Sequence, residues 1–288
     1  MTMNKQVFNA ENYKNTTRAQ WDDAAEAWHR WGGLLSKWLG PATETMFDMC
    51  HIKTGSRVLD VAAGAGEQSV AAAKRVGPNG YVLATDLSPN ILEFAKAEAQ
   101  LSGINHLDIK EIDGEALSEM KAELFDAVIS RVGLIYFPDQ QKALKGMKGQ
   151  LKEGGKVAAM VYSTADKNGF FSLPVSIIRK RANLPAPLPG QPGPFSLGKK
   201  EVLEKAFIDA GFKEVEIVAI NAPVRLSSAA ECLQFEQESF GALHQLLSSV
   251  SDIEKDDIWL EIENDLKQFE QDGQFMGPCE VLVAVGTK

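Results

Sequence analysis

Two closely spaced glycines follow a short apolar strand pattern and precede a helical pattern. The strand pattern covers residues 58–61, Gly64 and Gly66 come next, and the helical pattern covers residues 69–76. A strand, a glycine turn and a helix in this order bring backbone N–H groups close to a nucleotide-like ligand. The spacing therefore predicts a ligand site at this turn.

Acidic side chains around the turn limit the kind of ligand. Asp60 lies four residues before Gly64, Glu67 falls in the first turn of the helix, and Asp86 ends the next apolar run. Glu67 would repel a phosphate at the helix N-terminus, and Ser69 occupies the position where a dinucleotide fingerprint prefers a third glycine. Asp60 suits a cationic amine, and Asp86 can accept hydrogen bonds from both ribose hydroxyls of an adenosine. The pattern favours S-adenosylmethionine, which has a ribose and an amine but no phosphate, over a nicotinamide dinucleotide.

The segment Val58-Leu-Asp-Val-Ala-Ala-Gly-Ala-Gly66 resembles the first motif of the class I S-adenosylmethionine-dependent methyltransferases, which usually reads Val-Leu-Asp-Val-Gly-x-Gly-x-Gly. Ala62 stands where many members have the first glycine, and an alanine is expected to avoid positive φ. The resemblance covers residues 43–220 and the last strand. Within the family it is closest to the methyltransferases of ubiquinone and menaquinone biosynthesis and to small-molecule natural-product methyltransferases.

The resemblance implies a set of residues that bind S-adenosylmethionine at the carboxyl ends of the strands. They are Asp60, Ala62, Gly64, Gly66, Gln68, Asp86, Leu87, Asp113, Gly114 and Ser130. In the family an acid at the place of Asp113 hydrogen-bonds the adenine amino group, although Asp-Gly pairs are also common in surface turns. No metal is expected, because the three cysteines and four histidines show no metal-ligand spacing.

Aromatic residues before the motif and an arginine after the fourth strand mark the expected acceptor site. Trp21 and Trp28 recur at helical spacing, and the resemblance places the wall of the methyl-transfer site in the segment with Arg131 and Tyr136. These four residues are the candidates for the substrate pocket, and His29 and Arg131 are the candidates for catalysis. Each has a structural alternative, since the tryptophans can pack a helical lid, Arg131 can form a salt bridge, and His29 can be a surface or core residue.

Strand and helix patterns alternate from residue 56 to residue 162, which predicts a parallel sheet with helices on both faces. Together with the resemblance, this alternation indicates a Rossmann-like, doubly wound α/β sheet of seven strands, the last of them antiparallel and lying between the fifth and the sixth. The expected domains are an N-terminal helical lid (1–42), interrupted near its end by Gly40-Pro41; a methyltransferase core (43–222 plus 278–288) with a proline-rich loop (183–198); and a helical insertion (223–277) that forms a cap or a dimer surface.

Composition narrows the class of protein. A net charge of −9 and a pI near 5.1 disfavour a nucleic-acid partner, which would need clustered basic residues. No apolar run reaches the roughly eighteen residues of a membrane span, and no signal peptide is evident. Three scattered cysteines favour a reducing, cytoplasmic location.

The expected activity is transfer of a methyl group from S-adenosylmethionine to an oxygen, carbon or nitrogen atom of a small, aromatic or apolar molecule. A protein or RNA methyltransferase is one alternative, and a non-catalytic S-adenosylmethionine-binding protein is another. A nicotinamide oxidoreductase is a third.

Overall fold

The computed structural model describes residues 8–185, 187 and 191–288. The described residues form ten β-strands: β1 (Arg57–Val61), β2 (Tyr81–Asp86), β3 (Leu107–Glu111), β4 (Phe125–Arg131), β5 (Leu151–Tyr162), β6 (Lys213–Asn221), β7 (Val224–Leu226), β8 (Glu270–Gln271), β9 (Gln274–Gly277) and β10 (Glu280–Thr287). They also form ten α-helices: α1 (Ala10–Arg30), α2 (Gly32–Met49), α3 (Glu67–Val76), α4 (Pro89–Leu101), α5 (Gln140–Gly149), α6 (Gly169–Arg181), α7 (Lys200–Asp209), α8 (Ala229–Ser239), α9 (Gly241–Leu246) and α10 (Asp252–Leu266).

Seven of the strands form one sheet in the order β3-β2-β1-β4-β5-β10-β6. The pairs from β3 to β5 are parallel, whereas β10 is antiparallel to both β5 and β6. Buried apolar residues fill the central strands, as expected of a sheet covered on both faces. The predicted doubly wound fold, with its antiparallel last strand, is confirmed.

The N-terminal helices differ from the prediction in one respect. The expected interruption at Gly40-Pro41 is wrong, because α2 continues through Pro41 to Met49. A proline inside a helix costs about 3 kcal/mol, but full burial of a large apolar side chain contributes about 1.5–3 kcal/mol. Trp38, Leu39 and Phe47 are all buried on this helix, so its packing outweighs the proline.

Helix α1 lies over the carboxyl edge of the sheet and connects the core with the insertion. It packs against α4 of the core and against α8 and α9 of the insertion. The insertion is not wholly helical as predicted, since β7, β9 and β8 form a separate three-stranded antiparallel sheet beside its helices.

Two features of the second half of the chain complete the fold. Helix α6, which the sequence pattern did not reveal, precedes the proline-rich loop, and residues 186 and 188–190 of that loop lie outside the described residues. Among the helices that the structure describes, none is long and apolar enough to cross a membrane.

Candidate active site

The glycine turn after β1 has the backbone that a close ligand approach requires. Gly64 and Gly66 adopt φ of 57° and 85°, in the left-handed region that favours glycine. A Cβ on Gly66 would lie 2.4 Å from the Cβ of Ala95 on α4, so this glycine permits close helix packing. A Cβ on Gly64 would meet nothing nearer than 3.9 Å, so its backbone stands open on the cavity side.

Ala62 contradicts the expectation that an alanine here avoids positive φ. Its φ is 59°, and Val132, which follows the neighbouring strand β4, has a φ of 61°. Left-handed backbone costs a non-glycine residue about 1–2 kcal/mol, and such strain tends to cluster at functional sites. Both residues line the same cavity.

Asp60 lies beneath the cavity and not on its wall. Ser69 Oγ donates a hydrogen bond to Asp60 Oδ2, and Gln68 Nε2 donates to Oδ1 at 3.4 Å. Complete burial raises the pKa of Asp60 to about 6, although Ser69, Arg131 and Gln68 oppose the shift. The acid therefore holds Gln68, which does line the cavity.

Asp86 is the last residue of β2, and its carboxylate uses only some of its lone pairs in hydrogen bonds within the protein. Oδ2 accepts a hydrogen bond from the Gly64 N–H at 2.9 Å, and Oδ1 accepts one from the Ser88 N–H at 3.0 Å. A carboxylate has about four lone-pair sites, so these two bonds leave lone pairs that can accept from a ribose hydroxyl. Burial raises the pKa of Asp86, although neighbouring backbone N–H groups oppose the shift.

The turn after β3 joins the core to the lid. Asp113 Oδ1 accepts a hydrogen bond from the Glu115 N–H, and Lys14 of α1 bonds both Asp113 at 2.6 Å and Glu115 at 2.9 Å. Gly114 leaves room for Phe137, because a Cβ on this glycine would lie 2.6 Å from the Phe137 ring. This part of the cavity wall has a polar portion and an aromatic portion. Its residues are Lys14, Asp113 and Gly114 on the polar side and Phe137 on the aromatic side.

Arg131 forms the structural salt bridge that was one of its two alternatives, and it also lies where the other, a contact with substrate, would be made. Its guanidinium forms an ion pair with Glu67 at 2.7 Å and donates to Thr43 Oγ1 at 3.3 Å. The side chain is 7% exposed and lines the cavity. It is thus a buried, paired cation at the wall of the site.

The lid contributes an aromatic wall. The Trp21 ring packs 5.5 Å from Trp28 and 5.7 Å from Tyr136, which brings these three predicted pocket residues together. His29 stacks on Phe94 of α4, with ring centroids 4.8 Å apart. His29 also lines the cavity, so packing and contact with a ligand are compatible for it.

A cavity of about 610 Å³ joins the glycine turn to this aromatic wall. Its volume is within the usual range of small-molecule sites, roughly 300–1,000 Å³. Of the predicted site residues, Asp60 and Ser130 do not line it; those that do are Trp21, Trp28, His29, Ala62, Gly64, Gly66, Gln68, Asp86, Leu87, Asp113, Gly114, Arg131 and Tyr136.

Several lining residues were not predicted from the sequence. They include Lys14 on α1, Trp38 on α2, Tyr162 at the end of β5 and Phe240 in the insertion. Only Tyr162 had a signal in the sequence, since it ends a strand on the same sheet edge as the other candidates. The other three enter the site through the packing of the lid and the insertion, which no local pattern specifies.

Comparison with known proteins gives a consistent set of similarities. A model of a methyltransferase domain matches residues 52–181. The chain is 32% identical over 206 residues to the demethylmenaquinone methyltransferase of Staphylococcus haemolyticus, which covers 67% of this chain and 82% of that protein. It is 33% identical over 160 residues (55% of this chain) to an uncharacterised protein of Mycobacterium tuberculosis, and it spans only 56% of that relative's length.

A solved structure shares the fold. It is that of Haemonchus contortus phosphoethanolamine N-methyltransferase 2, in complex with phosphomonomethylethanolamine and S-adenosylhomocysteine. The TM-score is 0.58 at 18% sequence identity, and the match covers 98% of this chain and 61% of that chain. At this identity the likeness concerns the fold.

Proposed function

The chain belongs to the S-adenosylmethionine-dependent methyltransferases, and we propose that it transfers a methyl group to an oxygen, carbon or nitrogen atom of a small aromatic or apolar molecule. One observation carries the proposal. A single cavity joins the glycine turn and Asp86 to an aromatic wall made of Trp21 and Trp28 of the lid and Tyr136 of the core. The cofactor and an apolar acceptor would thus share one enclosed space.

The cavity residues fit the cofactor at the ribose and at the adenine. Asp86 accepts from the N–H groups of Gly64 and Ser88 and keeps lone pairs that can accept from a ribose hydroxyl. Leu87, Ile91 and Phe137 offer apolar surface near Asp113, the acid proposed to accept from the adenine amino group. Gln68, held by Asp60, would contact the amino-acid part.

When bound, S-adenosylmethionine supplies a sulfonium-activated methyl group with a good leaving group. The chain's own contribution is then to hold the acceptor in line with that methyl and to exclude water. The aromatic lid supports both tasks, because its rings are packed against each other and against the insertion. His29 and Arg131 are the proposed polar groups of the acceptor site, and neither is required as a general base.

Titration calorimetry tests the cofactor. We expect S-adenosylhomocysteine to bind and NAD not to bind; NAD binding without S-adenosylhomocysteine binding would refute the proposal. Transfer is tested with S-adenosylmethionine labelled in its methyl group and a panel of quinols, phenols and amines. Label in an organic extract supports a small acceptor, label in added protein or RNA supports a macromolecular one, and binding without any transfer supports a non-catalytic role.

A further inference from the structure

Tyr162 is the last residue of β5 and lies on the cavity wall. Its ring is enclosed by those of Trp38, Phe170, Phe171 and Phe195, with centroids 5.9–6.5 Å away. The residue is 2% exposed. Because four rings surround it, packing fixes the direction of its hydroxyl group.

The hydroxyl of Tyr162 has no hydrogen-bond partner among the residues that the structure describes, and it does not belong to the fully buried atoms that lack a partner, so it reaches the cavity. Elsewhere on the wall, the Trp28 indole N–H donates to the Ser239 carbonyl and that of Trp38 donates to the Ala222 carbonyl, whereas the hydroxyl of Tyr136 resembles that of Tyr162 in having no partner among the described residues. A hydroxyl that faces a cavity without a protein partner keeps its O–H donor free for a ligand. Since this one lies on the cavity wall, a ligand atom can supply the missing bond.

The protonation state of Tyr162 determines which kind of ligand atom its hydroxyl can bond. Burial raises its pKa well above 10, and the nearby charge of Arg131 does not cancel that shift. Tyr162 is therefore a neutral phenol at physiological pH, and its hydroxyl can donate a hydrogen bond to an oxygen atom of a ligand.

Arg131 supplies further donors beside it. In the β4–β5 register Arg131 pairs with Met160, two residues before Tyr162, so both side chains are on the same face of the sheet. Glu67 and Thr43 use two of the five N–H donors of a guanidinium. An ammonium group has no lone pair to offer either residue, whereas a carbonyl or phenolic oxygen has two.

We propose that Tyr162 is a specificity-determining residue, whose hydroxyl donates a hydrogen bond to an oxygen on a planar aromatic acceptor, with Arg131 as a second donor to that oxygen. This inference rests on the proposed function, because it concerns the acceptor half of the same cavity. It narrows the substrate to aromatic molecules that carry a carbonyl or phenolic oxygen beside the ring.

Two probes of the same shape test the proposal. 2,3-Dimethyl-1,4-naphthoquinone carries two carbonyl oxygens, and 2,3-dimethylnaphthalene carries none. Each is titrated against the protein saturated with S-adenosylhomocysteine, with the fluorescence of the cavity tryptophans as readout. Wild type should bind the quinone more tightly than the hydrocarbon; equal affinities, or no binding of either probe, would overturn the proposal.

The variant Tyr162→Phe removes the oxygen and keeps the ring packing. We expect its quinone affinity to fall about ten-fold, the usual size for a buried hydrogen bond, with unchanged affinities for the hydrocarbon and for S-adenosylhomocysteine. An unchanged quinone affinity, or an equal loss for both probes, would overturn the proposal. Tyr81→Phe is the matched control, because the Tyr81 hydroxyl donates to Asp108 outside the cavity. If wild type fails to bind S-adenosylhomocysteine at all, the proposed function fails instead.

Discussion

Gly133 and Ala62 are fitted to each other at the wall of the cavity: a Cβ on Gly133 would lie 2.4 Å from the Cβ of Ala62. Gly133 has φ −81° and ψ −41°, a conformation open to any residue, so contact and not backbone geometry requires the glycine. Ala62, at φ 59°, has the opposite condition, because its backbone would suit glycine better than alanine. The methyl group of Ala62 therefore sets the distance between the ends of β1 and β4.

This relationship predicts strong coupling between the two positions. Gly133→Ala should lower the free energy of unfolding by about 1–3 kcal/mol, the cost of overpacking. Ala62→Gly should change it by less than about 1 kcal/mol, since relief of left-handed strain offsets the added freedom of the unfolded chain. The double variant should recover most of the loss, with a coupling of about 0.5–3 kcal/mol. Urea unfolding of the four proteins measures the cycle, and additive effects would contradict the contact.

Lys14 should control how fast the cofactor leaves. It joins the lid to Asp113 and Glu115 while lining the cavity. Because the ion pairs are partly exposed, they stabilise the closed lid by about 1 kcal/mol at most, as surface pairs do. The loss of about 1 kcal/mol corresponds to a roughly five-fold change, so Lys14→Met should accelerate S-adenosylhomocysteine release by about that factor. Stopped-flow fluorescence measures the rate, and added salt should reduce the difference between the two proteins.

A matched control separates this effect from a general loss of charge. Lys205→Met removes an exposed ion pair with Asp209 on α7, and it should leave the release rate unchanged. An equal acceleration in both variants would show that Lys14 does not act as a link between lid and core.

Asp86 should be required for the ribose. Asp86→Ala removes a carboxylate whose free lone pairs can accept from a ribose hydroxyl, and we expect cofactor affinity to fall by about 1–3 kcal/mol, the range for charge-assisted hydrogen bonds. Calorimetry with S-adenosylhomocysteine measures the loss. Asp86 also accepts from the N–H groups of Gly64 and Ser88, so a thermal melt must first show that the variant is folded. An unchanged affinity in a folded variant would remove Asp86 from the binding site.

The sheet, and the meeting of the glycine turn with Asp86 and Asp113 at one of its edges, could be predicted because local patterns specify them. Buried strands such as β4 are apolar runs bounded by turn residues, and the glycines and acids that follow them must meet at one sheet edge. Ser88 is the clearest case: it accepts a hydrogen bond from the Ile91 N–H and begins α4 just before Pro89, as a serine before a proline predicts.

The strands of the insertion, the course of α2 and the place of Tyr162 could not be predicted in the same way. The short strands β7, β8 and β9 have two to four residues each, too few to show a period of two. Pro41 would end an isolated helix, and only the burial of α2 against the core prevents this. Nothing in the sequence shows whether a tyrosine hydroxyl finds a partner, so the role of Tyr162 depends on tertiary structure.

Glu236 on α8 is a fully buried carboxyl group among aromatic rings of the insertion. Its Oε2 has no partner among the described residues, and the Cys232 thiol donates weakly to Oε1. Burial raises its pKa well above the ordinary value of 4.5. The folded protein therefore keeps the proton, whereas the unfolded chain releases it above pH 4.5.

This difference predicts a pH dependence that Glu236→Gln should remove. Below pH 4.5 both states of wild type hold the proton, so the variant and wild type should have similar free energies of unfolding. As pH rises above 4.5, wild type loses stability relative to the variant, with a slope of up to about 1.4 kcal/mol per pH unit, until the raised pKa of Glu236 is passed. Urea unfolding from pH 4.5 to 8 should thus show the variant becoming the more stable protein. Glu238→Gln should instead be less stable than wild type by a nearly constant amount over this range, because the hydrogen bond from Arg30 lowers the pKa of Glu238, and the resulting stabilisation is lost only below pH 4.5. A constant difference between Glu236→Gln and wild type across this range would show that Glu236 is ionised in the folded protein.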